Sequence, residues 1–393
     1  MLSKSMNGKP LIYFDNAATT QKPQMVIDAI TDYYQNQCGT VNRAVYELAT
    51  NATNLFHETR ELIQRFIGAE RPEEVIFTMG TTDSTNLFAH SFGKAFLQPG
   101  DEIIVTEIEH HANLVPWQNL CEEHSCVLKF VKVNDRGELD LDHYQTLLSP
   151  KTKLVAIAHV SNALGTVHPI KEIAALAHQH GAKVFVDGAQ AVPHMPVDVN
   201  DLDIDFYAFS GHKIYGPTGI GILYGKYDLL DQMPPVRYGG DMIETVTLEK
   251  STYQKPPLKF EAGTPPIAQV IGLGAAIRYV EAIGMANIHE WEMELLEYAN
   301  KRLSEIPGIK IMGTASEKSA SITFNITGVH PLDIGTLLDL KGIAVRTGHM
   351  CAQTAMDRFG VTQSVRASFA FYNRHEQIDQ FVDALKEILK ALA

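Results

Sequence analysis

Between Val75 and Tyr224 short apolar runs alternate with helix-length amphipathic stretches, and that rhythm leaves few folds open. Val75-Ile-Phe-Thr78 precedes Gly80-Thr-Thr-Asp83 and a helical pattern over 84–97. Ile103-Ile-Val105 leads into a helical segment around Trp117; 153–159 reads as a strand and 170–180 as a helix. Runs at 184–186, 206–209 and 220–224 complete the set. A parallel neighbour needs a long crossover, so the alternation predicts a mostly parallel sheet with helices on both faces. After Gly263-Thr-Pro-Pro266 the character changes. Helical patterns at 267–284 and 287–305 lead to an α+β segment with strands near 321–325 and 344–346 and an amphipathic helix from His375. Two domains suit 393 residues. The expected division is a large α/β domain over 14–262 and a smaller α+β domain over 263–393, joined by 1–13.

A formal net charge of −13 argues against nucleic acid and anionic membrane as partners. The four cysteines, Cys38, Cys121, Cys126 and Cys351, form no C-x-x-C pair, which points to a reducing compartment. The first residues hold no apolar signal core, and no run of about twenty apolar residues follows. A cytoplasmic protein is expected.

Lys213 carries the chemistry. It lies in Ser210-Gly-His-Lys213, just after the run ending at Phe209, while Val184-Phe-Val186 empties into Asp187-Gly-Ala-Gln190. Both tips fall at strand ends, where α/β sheets keep their ligand crevice. A Schiff-base lysine beside an acid that can pair with a pyridinium nitrogen is a protein's part of a pyridoxal 5'-phosphate (PLP) site. Gly80-Thr81-Thr82, at a helix start, offers backbone N–H groups to a phosphate or serves as a plain cap. Ser210 and His212 add phosphate donors. Gln190 and Asn162 could donate to the ring's phenolate oxygen, although Asn162 also suits a turn. In Glu109-His110-His111-Ala-Asn113 the adjacent histidines diverge, so no metal is expected and His110 is better used stacked on a flat ring. Arg346-Thr-Gly-His349 surrounds Cys351 with cationic, loop-like company that favours a thiolate, while a buried inert thiol is the plain alternative. Arg366 could clamp a carboxylate.

These segments, with Tyr13-Phe-Asp-Asn-Ala-Ala-Thr-Thr20, Val160-Ser-Asn-Ala-Leu-Gly165 and Phe260-Glu-Ala-Gly-Thr264, resemble the class V aminotransferase-like, fold-type I PLP enzymes. Within them the likeness is to the group II, SufS-like cysteine desulfurases, and it runs over nearly the whole chain. The resemblance implies a seven-stranded, mostly parallel sheet in the large domain and a small domain carrying the Cys351 loop. It implies that Lys213 holds PLP and moves the α-proton, that His110 stacks on the ring, and that Asp187 pairs with the ring nitrogen. Gln190 and Asn162 would reach the phenolate oxygen. Thr81, Thr82, Ser210 and His212 would bind phosphate, with Thr264 supplied by the other subunit of a homodimer. Asn162, Arg346 and Arg366 would hold the substrate carboxylate. The implied reaction is a sulfur transfer: L-cysteine becomes L-alanine, and Cys351 passes its persulfide sulfur to an acceptor for iron–sulfur cluster assembly.

Three positions depart from the family pattern. Met350 stands before the cysteine where a histidine is usual, and Asn42 and Tyr46 replace two histidines expected near the substrate. Leu332 stands where desulfurases serving a zinc-containing acceptor carry a histidine, which leans toward a SufE-like acceptor. The rivals are a selenocysteine lyase, another class V lyase or epimerase, and a largely non-catalytic PLP-binding scaffold. A dinucleotide enzyme is disfavoured because Gly272-Leu-Gly274 lies inside a helical pattern.

Overall fold

The computed structural model describes residues 2–392. Seven strands form the main sheet: β1 (Val75–Thr78), β2 (Glu102–Thr106), β3 (Val127–Val131), β4 (Thr152–Ala158), β5 (Lys183–Asp187), β6 (Phe206–Ser210) and β7 (Gly221–Gly225). Their spatial order is β1-β7-β6-β5-β4-β2-β3. Every pair is parallel except those of β7, which runs antiparallel to both β1 and β6.

The alternation of side chains along each strand explains the helical layers. Leu154, Ala156, Phe185, Phe206 and Ala208 join one apolar cluster, packed under the helices Thr81–Phe96 and Val115–His124. Val155, Ile157, Val184, Val186, Tyr207 and Phe209 point the other way, into a cluster shared with the helices Glu47–Phe66 and Ile170–Gln179. A strand buried on both faces reads as a continuous apolar run, which is why β4 to β7 were visible in the sequence. Phe88 seals the first face, stacked on Phe185 at 4.8 Å between ring centroids. Edge strand β3 is more exposed, and its central Lys129 pairs with Glu102 at 2.8 Å. Such a lysine discourages further strand pairing. It also hid the strand from the apolar pattern.

The second sheet has four antiparallel strands, Ile309–Met312, Ser321–Ile326, Ser364–Ser368 and Arg346–Gly348 in that spatial order. Its core holds Phe324, Phe369, Phe381 and Leu385, the last two on the helix His375–Leu392. Ile12 and Phe14 pack there too, and Ile12–Tyr13 pairs in parallel with Ile343–Ala344. The single strand expected near 344–346 is thus two pieces: Ile343–Ala344 pairs with the N-terminal segment and Arg346–Gly348 with Ser364–Ser368.

Helix Ile267–Ile283 follows the division expected at 262–263, yet its side chains belong to the larger core. Gly274 lets it approach the helix Glu47–Phe66, since a Cβ there would meet Thr59 Oγ1 at 2.6 Å. Gly272 does the same against Ile30, at 2.8 Å. Those two glycines serve helix packing. The next helix, Met285–Leu303, gives Ile288 to the larger core and Leu295, Ala299 and Leu303 to the smaller one. Among the described residues no single helix is long and apolar enough to cross a membrane.

Candidate active site

The carboxyl ends of β1, β2, β4, β5 and β6 open onto one cavity of about 320 Å³, within the range of small-molecule sites. Thr81, Thr82, His110, Asn162, Asp187, Gln190, Ser210, His212, Lys213, Arg346, Cys351 and Arg366 all line it. Thr264 does not; it is exposed in the loop before helix Ile267–Ile283. Asn42 and Tyr46 are also outside the cavity of their own chain. The Asn42 Oδ1 sits 3.0 Å from His57 Nε2 and its N–H donates to Thr53, while Tyr46 is an exposed residue at a helix start. Within the chain, therefore, these replacements do not touch the candidate substrate space.

Asp187 ends β5 and is buried, with Oδ1 accepting from the Ala189 N–H at 2.9 Å. Burial raises its pKa, against the backbone bond and the charge of Lys213. Lys213 closes the short turn after β6. Its amine makes no hydrogen bond among the described residues, and burial lowers its pKa to about 8, opposed by Asp187 and Cys351. The turn is strapped from behind by the N-terminal motif. Thr19 Oγ1 and Lys22 Nζ donate to the His212 carbonyl at 3.1 and 2.7 Å, and Tyr215 N–H donates to Thr20 Oγ1 at 2.9 Å. Gln190 is tied to the same motif, donating to Ala17 O at 2.7 Å and leaving its second amide hydrogen free.

Gly80 adopts φ +147°, and a Cβ on Gly221 would lie 2.4 Å from its Cα, so glycine is required where β1 and β7 meet the helix start. Ser210 Oγ accepts the Thr81 N–H at 2.8 Å. The helix N-terminus beside it favours an anion. His212 stays neutral in this company: burial, then Lys213 and Lys22, lower its pKa to about 4.

His110 projects into the cavity and His111 away from it. The Ala112 N–H donates to His110 Nδ1 at 3.0 Å, so the neutral ring carries its proton on Nε2. Burial, with Lys213, His111 and Arg366, lowers its pKa to about 3. Behind it Glu109 is fully buried and accepts from Thr106 Oγ1 at 2.7 Å, Asn113 Nδ2 at 2.8 Å and the Ala158 N–H at 3.0 Å. Asn113 in turn accepts from Trp117 Nε1 at 3.1 Å. The carboxylate thus joins the ends of β2 and β4 to the His110 turn. The spacing of Glu109, Asn113 and Trp117 at i, i+4 and i+8 is the one sign of this network in the sequence.

Burial raises the Glu109 pKa to about 7 despite those donors. A carboxyl raised above its unfolded value favours the fold below about 4.5, and that advantage is lost as pH rises through about 7. Glu109→Gln removes the titration while keeping the shape. The stability of Glu109→Gln relative to the parent is expected to grow by up to roughly 3 kcal/mol between pH 5 and pH 8. Urea unfolding of both proteins across that range checks it; a difference independent of pH would contradict it.

The nucleophile candidate is held in an unusual backbone. Gly348, Met350 and Cys351 have φ of +112°, +57° and +54°. Non-glycine residues in that region cost about 1–3 kcal/mol and persist where surroundings overdetermine them. Here Met350 is buried among Ile108, Leu164, Ala352 and Met356, and its carbonyl accepts from Asn162 Nδ2 at 2.6 Å. His111 N–H donates to Cys351 O at 2.7 Å, and Gln353 N–H to His111 Nε2 at 3.1 Å. The departure at Met350 is thus an apolar anchor that seats the loop.

Arg366 is buried on Ser364–Ser368, directly across the ladder from Arg346. It donates to Asn162 O at 2.6 Å and lies 3.4 Å from Asp15. Its Nε and the Asn162 Oδ1 are buried without a partner among the described residues. Two guanidinium groups against one carboxylate leave room for a second anion.

The model of the family "Aminotransferase class-V" matches residues 12–381. The chain belongs to that family. A curated relative named probable cysteine desulfurase 1, from Mycobacterium leprae, is 52% identical over 99% of the chain and 64% of its own length. The chain therefore spans less than two thirds of that relative. A probable cysteine desulfurase of Halalkalibacterium halodurans is 50% identical over 98% of the chain and 95% of its own length. Among solved structures, the apo cysteine desulfurase of Thermococcus onnurineus superimposes with a TM-score of 0.95 at 39% identity, covering 99% of this chain and 98% of that one. The fold is the expected α/β architecture of fold-type I enzymes, a seven-stranded, mostly parallel sheet with a smaller α+β unit.

Proposed function

We propose that this protein is a PLP-dependent L-cysteine desulfurase. The observation that carries the reading is the convergence on one cavity of an unpartnered lysine amine, a buried aspartate, a neutral histidine ring, paired arginines and an anchored cysteine.

The residues fit the cofactor. The N-terminus of helix Thr81–Phe96, with Thr82, Ser210 and His212, suits its phosphate; Asp187 suits its ring nitrogen; His110 suits its face; Gln190 and Asn162 suit its phenolate oxygen. When bound through Lys213, PLP supplies an electron sink for the substrate's α-carbon.

Arg366, with Arg346 and Asn162, holds the substrate carboxylate; the two guanidiniums, paired across one ladder and both lining the cavity, provide its donors. Lys213, with its pKa lowered to about 8, takes the α-proton near neutral pH and returns it later. The Cys351 thiolate then attacks the substrate sulfur. A sulfur–sulfur bond forms, the carbon–sulfur bond breaks, and its electron pair stays with the three-carbon fragment that leaves as alanine. The terminal sulfur of the Cys351 persulfide passes to an acceptor thiol, for iron–sulfur cluster assembly.

A homodimer completes the phosphate site, with Thr264 reaching the other copy; its exposure away from its own cavity supports this. The acceptor is of the SufE-like kind, supported by exposed Leu332 in place of a histidine. The four free thiols support a cytoplasmic, reducing setting.

The test is release of alanine and sulfide from L-cysteine by the PLP-loaded protein with reductant. Failure to release alanine from an intact cofactor complex would reject the reading. Arg366→Lys keeps the charge but loses the planar fork, and the KM for L-cysteine is expected to rise about 10–100-fold. A steady-state comparison with unchanged KM would remove Arg366 from the carboxylate site.

A further inference from the structure

The loop 162–165 turns four consecutive carbonyls toward the small domain, and each finds a donor there. Arg366 donates to Asn162 O at 2.6 Å, Thr323 Oγ1 to Ala163 O, Lys318 Nζ to Leu164 O at 2.7 Å, and the Ser319 N–H to Gly165 O at 2.7 Å. Two glycines allow this close approach. Gly165 has φ +76° and a Cβ there would lie 2.7 Å from Ser321 Oγ; Gly313 has φ +68° and its Cβ would lie 2.7 Å from Leu164 Cβ.

Lys318 is the unexpected member of this row. Its stem is largely covered, and its ammonium has two acceptors, both main-chain: Leu164 O and Gly313 O. It forms no ion pair among the described residues, and burial lowers its pKa to about 8. An ammonium withdrawn from water without a counter-ion is costly, and an apolar residue would pack a hairpin at least as well. The loop it grips does two things at the cavity. The Asn162 side-chain amide holds the Met350 carbonyl beside Cys351, and its main-chain carbonyl holds Arg366.

We infer that Lys318 is a positioning residue for the substrate carboxylate: gripping Leu164 O, it sets where Asn162 and Arg366 stand relative to each other across the domain boundary. The inference rests on the desulfurase reading for its substrate, and on geometry alone for the latch.

Lys318→Met in the full PLP-loaded chain keeps the stem and removes both bonds. The KM for L-cysteine is expected to rise about tenfold with kcat within about twofold. The lysine-linked absorption band should not move, and Lys318→Arg should restore most of the KM. Thr323→Val, which removes the donor to the neighbouring carbonyl, should give the same split and serves if Lys318→Met does not fold. Hydrogen exchange over 160–168, without substrate, should quicken about tenfold in Lys318→Met. An unchanged KM, or equal losses in kcat and KM without rescue by arginine, would overturn the positioning role; unchanged exchange would overturn the latch. If the parent protein turns over no cysteine while exchange responds as expected, the functional reading falls and the latch stands.

Discussion

Cys351→Ser is expected to lose alanine release from L-cysteine by on the order of 10³-fold or more, while still binding the amino acid in its PLP-loaded form. A serine keeps the size and the backbone bonds that seat the loop: Cys351 O to the His111 N–H and Met350 O to Asn162. It lacks a nucleophile able to take sulfur at neutral pH. The comparison separates chemistry from architecture, because the loop is anchored by Met350 and Ala352 on either side of the thiol. Alanine should be measured with reductant present, and protein-bound sulfur by mass spectrometry. Persulfide formation at the normal rate in Cys351→Ser would end the assignment. Loss of substrate binding as well would show that the residue's role is structural.

Lys213→Ala is expected to lose both the absorption of a lysine-linked cofactor and turnover, the missing proton transfer alone being worth about 10²–10⁴-fold. The amine has no other duty: it makes no hydrogen bond among the described residues, and it sits within the field of Asp187, Arg366 and Cys351. Folding should survive, since Thr19, Thr20 and Lys22 grip the turn through the backbone of residues 212 and 215. The readout is the visible spectrum of the reconstituted variant, before and after borohydride reduction, with urea unfolding as a control. A reducible lysine-linked band that persists would show that a different lysine carries the cofactor. Lys22 and Lys318 are the other half-buried lysines whose pKa is lowered to about 8, but carbonyl oxygens hold both ammonium groups.

The large sheet was legible because its central strands are buried on both faces. Val184-Phe-Val186 and Phe206-Tyr-Ala-Phe209 are apolar at every position, and the polar residue that ends each run is a candidate site residue. Strand Ser364–Ser368 was not legible. It reads Ser-Val-Arg-Ala-Ser, yet all five residues are buried: Arg366 donates to Asn162 O at the site and Ser368 to the Phe14 carbonyl. Apolar pattern cannot reveal a strand buried for its hydrogen bonds. Helix Ile267–Ile283 was legible as a helix, but its allegiance was not: an all-round apolar helix can join either core, and Gly272 and Gly274 select the larger one by close approach to Ile30 and Thr59.

At the site, strand-end positions drew attention to Lys213 and Asp187, and residue type with local company to His110, Cys351 and Arg366; all five line one cavity. Their relations across the chain were not readable. The grip of Thr19 and Lys22 on the Lys213 turn joins residues about 190 apart, and the latch of Lys318 on Leu164 joins residues 154 apart. Local pattern carries burial and periodicity, which name an element and its polar tip. It carries no information on which distant carbonyl a lysine or arginine will meet. Sheet order and the packing of the two sheets decide that, and they make Met350 an anchor and Asn162 a bridge between the Cys351 loop and the strand of Arg366.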